Sequence, residues 1–130
     1  MFILAWAIFM FLNFHTVVVS GVSMQPTFHT GQRVVVSQAY WLVGAVRQKD
    51  ILVIRDNNPD GFIIKRVFRM AGEIVPKSLA PRNWPIENDK YLVPQGKFYV
   101  LGDNMDQSED SRAFGPIDAD KVLGKVVVWP

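Results

Sequence analysis

Cysteine is absent from the 130 residues, and histidine occurs only at His15 and His29. The first absence excludes a disulfide framework, a thiolate nucleophile and a cysteine-ligated metal. The second limits zinc sites and serine–histidine chemistry alike. Lys/Arg-rich runs are also missing, and a formal net charge of +2 is too weak to argue for nucleic acid. Charged residues make up only 20% of the chain and apolar residues 49%, so disorder is excluded. Finally, no apolar run reaches the ~20 residues that a helix needs to cross the hydrocarbon core. What remains is a chain long enough for one hydrophobic core and too short for two.

The longest apolar run is Phe2 to Leu12, followed by Asn13, Phe14 and His15. Three readings fit it: the second half of a membrane anchor, a secretory h-region with Val18 and Ser20 as a small-residue cleavage site, or a core or interfacial helix. No basic n-region precedes the run, which argues against an intact signal peptide. The expectation is a short or truncated membrane anchor over residues 1–16, followed by one domain over 17–130.

From Val17 onward the pattern is that of strands. Arg33–Ser37, Ile51–Ile54, Phe62–Ile64 with Val67 and Phe68, Phe98–Leu101 and Val126–Trp129 are short β-branched or aromatic runs, as is Val17–Val19. Turn residues separate them: Thr30-Gly31, Asp56 to Gly61, Ala71-Gly72 and Pro94-Gln95-Gly96. Ala39 to Val46 offers one helical turn at most. Residues 76–97 hold four of the eight prolines and read as a long irregular connection. The fold class is therefore mainly β, with short antiparallel strands in coiled sheets behind a short apolar helix.

Three stretches carry chemistry. In Ser20-Gly21-Val22-Ser23-Met24-Gln25-Pro26-Thr27, a glycine and a proline flank Ser23, and Pro26 pushes Gln25 towards extended backbone. Gly21 is expected to let another backbone approach closely. A serine hydroxyl needs a base, since it is a poor nucleophile at its free pKa. Neither histidine suits: His15 borders the apolar run and His29 lies in a turn. Lys65 is the other choice. It stands among Ile63, Ile64 and Val67, where lost hydration disfavours the ammonium and frees the amine to take a proton. The alternative is a lysine on the solvent face of an edge strand.

The third stretch is the polar loop Gly102 to Arg112 behind the strand Phe98–Leu101. Asp103, Asp106, Glu109 and Asp110 suggest a calcium loop, but the ligand spacing, glycine and closing bidentate Glu of an EF-hand are missing. The remaining readings are a turn rich in Asx hydrogen bonds and a buried support. In the latter Ser108 orients a lysine, while Asp110 and Arg112 pair with each other or with Arg66.

Together these stretches resemble the type I signal peptidases, membrane-bound serine–lysine proteases that remove signal peptides from exported proteins. Gly21 to Thr27 match the family's nucleophile box, Lys65-Arg66-Val67 opens its lysine box, and Gly102 to Arg112 match its last box without a gap. Asp50-Ile51-Leu52-Val53 resembles the remaining box in degraded form, and the boxes stand in family order. The resemblance implies Ser23 as nucleophile, Lys65 as general base and then acid, and Ser108 hydrogen-bonded to Lys65. It also implies the Ser23 N–H as an oxyanion donor, supported by Gly21, Arg66, Asp103, Asp110 and Arg112. The second donor, a serine hydroxyl in some members, is missing at Gly21, and Ser20 lies one residue further away.

The same resemblance implies substrate pockets for small residues at positions −1 and −3, built from Val17, Val19, Met24, Phe28, Val34, Ile63 and Ile64. No metal or cofactor is called for. The partners are preprotein signal peptides and membrane lipid, with a single-pass anchor and the catalytic domain on the extracytoplasmic, trans face. After Lys-Arg-Val the chain departs from the family, but Glu73 keeps a charge where Asp is usual, so the turn is expected to survive. The span between Lys65 and Gly102 is too short for the large accessory β-domain of some bacterial members. Two other readings share the scaffold: an inactive membrane-tethered peptide-binding module, and a self-cleaving Ser–Lys protease like the SOS repressors. Against the second, no Ala-Gly pair precedes Ser23.

Overall fold

The apolar run is a helix, α1 (Phe2–Asn13), and it feeds without a loop into strand β1 (Phe14–Val18). In the computed structural model, which describes residues 1–82 and 90–128, no residue of α1 is buried. Among these residues no helix is long and apolar enough to cross a membrane. The first strand thus begins at Phe14, within the segment expected as an anchor. The helix is tied to the β-domain by a hydrogen bond from Ser37 Oγ to Asn13 O and by the edge of Phe9 against Trp41.

Strands β2 (Arg33–Ser37), β3 (Ile51–Arg55), β4 (Phe62–Arg69), β7 (Lys97–Leu101), β8 (Ile117–Asp118) and β9 (Val122–Val128) join β1 in one antiparallel sheet. Its spatial order is β1-β2-β9-β3-β4-β7-β8. The two apolar pieces around Lys65 form a single continuous strand, so Lys65 and Arg66 sit mid-strand and project to opposite faces. Helix α2 (Tyr40–Val43) is the single turn expected near Ala39. The connection expected to be irregular instead contains a second small sheet, β5 (Ile74–Pro76) paired with β6 (Lys90–Leu92). Val75, Tyr91 and Val93 pack there against Tyr99 and Leu101 of β7, which outweighs the prolines around them. Residues 83–89 of that connection lie outside the described residues, as does Trp129 at the end of the last expected strand. The turn at Glu73 is closed by hydrogen bonds between Met70 and Glu73 in both directions.

The largest core cluster positions the site. Val19, Met24 and Phe28, from the segment between β1 and β2, bury themselves against Val34, Ile51, Val53 and Ile64. Phe28 is wholly buried, and Met24 and Val19 nearly so, which anchors the segment on both sides of its serine.

Candidate active site

Ser23 sits on a turn stitched to the loop that follows β7. The N–H of Asn104 donates to Ser23 O (2.8 Å) and its Nδ2 donates to Val22 O (3.1 Å). Four residues on, Thr27 Oγ1 donates to Asp103 Oδ2 (2.6 Å). Asp103 is itself held by a bidentate Arg66, with Nε to Oδ1 at 2.9 Å and Nη2 to Oδ2 at 2.8 Å. Such a fork fixes direction as well as distance. Burial alone would raise the Asp103 carboxyl, but the bonds from Arg66 and Thr27 outweigh it and hold it below the usual range.

Lys65 comes from β4 and meets Ser23 across 42 residues of sequence: Nζ lies 2.8 Å from Oγ. The lysine is 4% exposed, and among the described residues Ser23 Oγ is its one hydrogen-bond partner. Loss of hydration lowers its pKa, with the carboxylates of Asp110 and Glu109 opposing. A charged Lys65 donates to Ser23, whereas a neutral one offers its lone pair to the serine hydroxyl. Both histidines are exposed, and neither contacts Ser23.

Asp110 builds the floor. It is 1% exposed and accepts from the Gly102 N–H (3.0 Å), from Ser108 Oγ (2.9 Å) and from Arg112 Nε (2.8 Å) and Nη2 (3.0 Å). Burial pushes its carboxyl up, and those donors together bring it below the usual range. Of the two pairings left open by sequence, Asp110 with Arg112 is the one formed, and Arg66 turns to Asp103 instead. Two of the four carboxylates suggested for a calcium loop, Asp103 and Asp110, are thus each held by an arginine. Ser108 differs from its expected role, because its hydroxyl donates to Asp110 rather than contacting Lys65. Its geometry is set by a buried acceptor stronger than an amine.

The close approach expected at Gly21 is found at another glycine. A Cβ built on Gly21 meets nothing within 4 Å, and its φ of +85° is what the turn needs from it. The close approach is at Gly102, where a Cβ would lie 2.1 Å from Ser108 Oγ and 2.8 Å from Ser23 O. Gly102 therefore lets two site loops pack on the sheet beside Lys65. It was missed as a site residue, as were Asn104 and Thr27, although all three lie inside the boxes quoted above.

The expected substrate-contacting residues divide likewise. Val17 and Val19 line a cleft of about 520 Å³ that runs along β1, and Ile63 and Ile64 line a cavity of about 60 Å³ holding Ser23 and Lys65. Met24, Phe28 and Val34 line neither: they are buried in the core. Ser20, Asp60 and Phe62 line both spaces, and none of the three was singled out as a substrate contact by sequence.

The domain is thus mainly antiparallel β and brings a serine hydroxyl against a buried lysine amine. A family model described as signal peptidase, peptidase S26, matches residues 1–78 and 76–129. Signal peptidase IB of Staphylococcus aureus is 30% identical over 146 aligned positions, covering 86% of this chain and 76% of that protein. Signal peptidase I of Bacillus caldolyticus is 29% identical, covering 95% of this chain and 82% of that protein. A crystal structure of a signal peptidase I from Enterococcus faecalis V583 superposes with a TM-score of 0.48 at 21% identity, covering 64% of this chain and 97% of that one. The chain belongs to the signal peptidase family, as an endopeptidase of the signal peptidase I type.

Proposed function

We propose that this protein cleaves N-terminal signal peptides from exported preproteins with Ser23 as nucleophile and Lys65 as general base. One observation carries the reading: a buried amine with no carboxylate bonded to it among the described residues lies 2.8 Å from the hydroxyl it would deprotonate. The neutral amine takes the Ser23 proton as Oγ attacks the scissile carbonyl. The resulting ammonium returns it to the leaving amine, and water then repeats the cycle on the acyl-enzyme. The Ser23 N–H donates to no acceptor among the described residues, which leaves it available for the oxyanion.

The substrate backbone fits as an added strand. On one side run residues 16–20; on the other is the first half of β4, Phe62–Lys65, which β7 leaves unpaired because its partners begin at Arg66. The small cavity beside Ser23 then takes the side chain at −1, and its size favours alanine-like residues. The larger cleft along Val17 and Val19 takes the side chain at −3. We assign α1, apolar and largely exposed with Trp41 beside it, to contact with membrane lipid, with the catalytic domain on the trans face.

The test is cleavage of a preprotein supplied in trans, compared between wild type, Ser23→Ala, Lys65→Ala and Lys65→Arg. All three variants are expected to be inactive, the last because arginine stays protonated at any accessible pH. Full activity in Lys65→Ala would sink the general-base assignment. A serine-directed acylating probe that fails to label Ser23 in an inactive wild type would point to a binding module instead.

A further inference from the structure

The turn between β3 and β4 separates the two spaces that the proposed function fills with substrate, and its Asp60 lines both. Its neighbour Asn58 also lines the small cavity, but that side chain is spent. Asn58 Oδ1 accepts from the Gly61 N–H (2.8 Å), and Nδ2 donates to Phe62 O (2.9 Å). The Asp60 carboxylate, by contrast, is exposed and has neither ion pair nor hydrogen bond among the described residues. Apart from Lys65, which faces Ser23, no lysine or arginine lines either space. Around Lys65 the carboxylates of Asp110, Glu109 and Asp56 act against the one cation Arg112, so negative charge prevails there although the chain as a whole carries +2.

We propose that Asp60 is a specificity-determining residue, selecting substrates with a lysine or arginine just N-terminal to the scissile bond and disfavouring aspartate or glutamate there. The proposal rests on the reading of Ser23 and Lys65 as the cleavage site. A substrate strand running from the larger cleft to the small cavity passes the Asp60 carboxylate at the wall the two spaces share. A cationic side chain there gains an opposite charge in a partly desolvated groove, and an anionic one meets a like charge with no counter-ion. Discrimination by repulsion as well as attraction is what separates related substrates when the pockets themselves accept only small side chains.

The experiment uses the full chain in detergent and a set of signal-sequence peptides that keep alanine at −1 and −3. Each peptide carries one Lys, Gln or Glu at −2, −4 or −5, and kcat/KM is measured for each. Wild type is expected to favour Lys over Glu at one or more of these positions by about two- to fivefold, the range of an exposed charge pair. The ratio should shrink in 0.5 M salt, an ionic strength near which screening acts within about 4 Å. Asp60→Asn should bring the ratio close to one, and Asp60→Lys should reverse it. Thermal midpoints of both variants check that the turn still folds. If Asp60→Lys keeps the wild-type ranking at every position, the proposal is overturned. If wild type cleaves no peptide at all, the underlying assignment of Ser23 and Lys65 fails with it, and the two failures are told apart by that control.

Discussion

Two buried lysines stand in one row of the sheet, and they have opposite surroundings. Leu52 on β3 lies opposite Lys65 on β4 on one side and opposite Lys125 on β9 on the other, so all three side chains project to the same face. Lys125, 8% exposed, has a carboxylate and a carbonyl in reach: Asp50 Oδ2 at 3.3 Å and Ala45 O at 3.4 Å. Lys65 has a hydroxyl, and among the described residues no carboxylate is bonded to it. An ammonium in the first setting is paired, whereas in the second it is disfavoured by burial. Burial of a lysine is therefore no mark of function by itself; what decides is whether an acid accompanies it.

The sharpest way to break this contrast is to remove each amine in turn. Lys65→Ala is expected to lower kcat/KM on a preprotein peptide by about 10⁴-fold or more, as when a member of a nucleophile–base unit is lost. Its denaturant midpoint should hold or rise, because an unpaired buried amine has gone. Lys125→Ala should do the reverse. Its rate stays within several-fold of wild type, while stability falls by about 1–3 kcal/mol. That is less than for a fully buried pair, because Asp50 keeps 29% of its side chain exposed. If Lys125→Ala loses activity without losing stability, the two lysines have been told apart wrongly.

Asp110 sharpens the comparison from the acid's side. Asp110→Asn leaves Arg112 without its buried counter-charge and is expected to cost about 3–5 kcal/mol, read from urea unfolding. Acid should do the same: a carboxyl held below its usual range contributes stability that is present above the unfolded pKa and lost as pH falls through the folded one. Among molecules that remain folded, losing this negative charge lowers the Lys65 pKa further, so the acid limb of the pH–rate profile should move to lower pH. A limb that moves upward, or stays in place, would mean that Asp110 does not act on Lys65.

Gly102→Ala is expected to cost less stability, about 1–3 kcal/mol from overpacking. Its effect on kcat should be disproportionate, because the added methyl presses on Ser23 O and on Ser108 Oγ. A KM change with kcat untouched would argue that the glycine shapes the cleft rather than the nucleophile turn.

Six of the seven strands of the main sheet were legible at least in part, each as a short β-branched or aromatic run bounded by turn residues; the two-residue β8 was not, and the row holding Lys65 and Lys125 follows from register. Ser23 and Lys65 were legible as residues through their motifs. Their 2.8 Å contact was not, since it depends on Phe28 and Met24 sinking into the core and on Asn104 drawing the turn inward. The partner of Ser108 was misread because sequence gives no measure of which buried acceptor is nearest. Met24, Phe28 and Val34 were misplaced for a related reason: an apolar residue beside a reactive serine reads the same whether it lines a pocket or supports one. The small β5–β6 sheet was hidden by prolines that its tertiary contacts override. Asp60 carried no signal, because an aspartate before a glycine reads as a turn and nothing more.

The smallest effect concerns the pH dependence of stability itself. A lysine whose folded pKa lies below its unfolded value of 10.5 binds fewer protons when folded, across the interval between the two. Unfolding free energy therefore rises with pH through that interval and is flat below it, where both states are charged and the folded state bears the full cost of the buried ammonium. Lys65→Met removes the titrating group and should remove this slope, so the urea midpoints of wild type and variant converge as pH rises towards 10.5. Lys125→Met provides the contrast, since its difference from wild type reflects the lost pairing with Asp50. Parallel curves for wild type and Lys65→Met across that interval would mean the amine is charged in the folded protein throughout, and Ser23 would then lack its base.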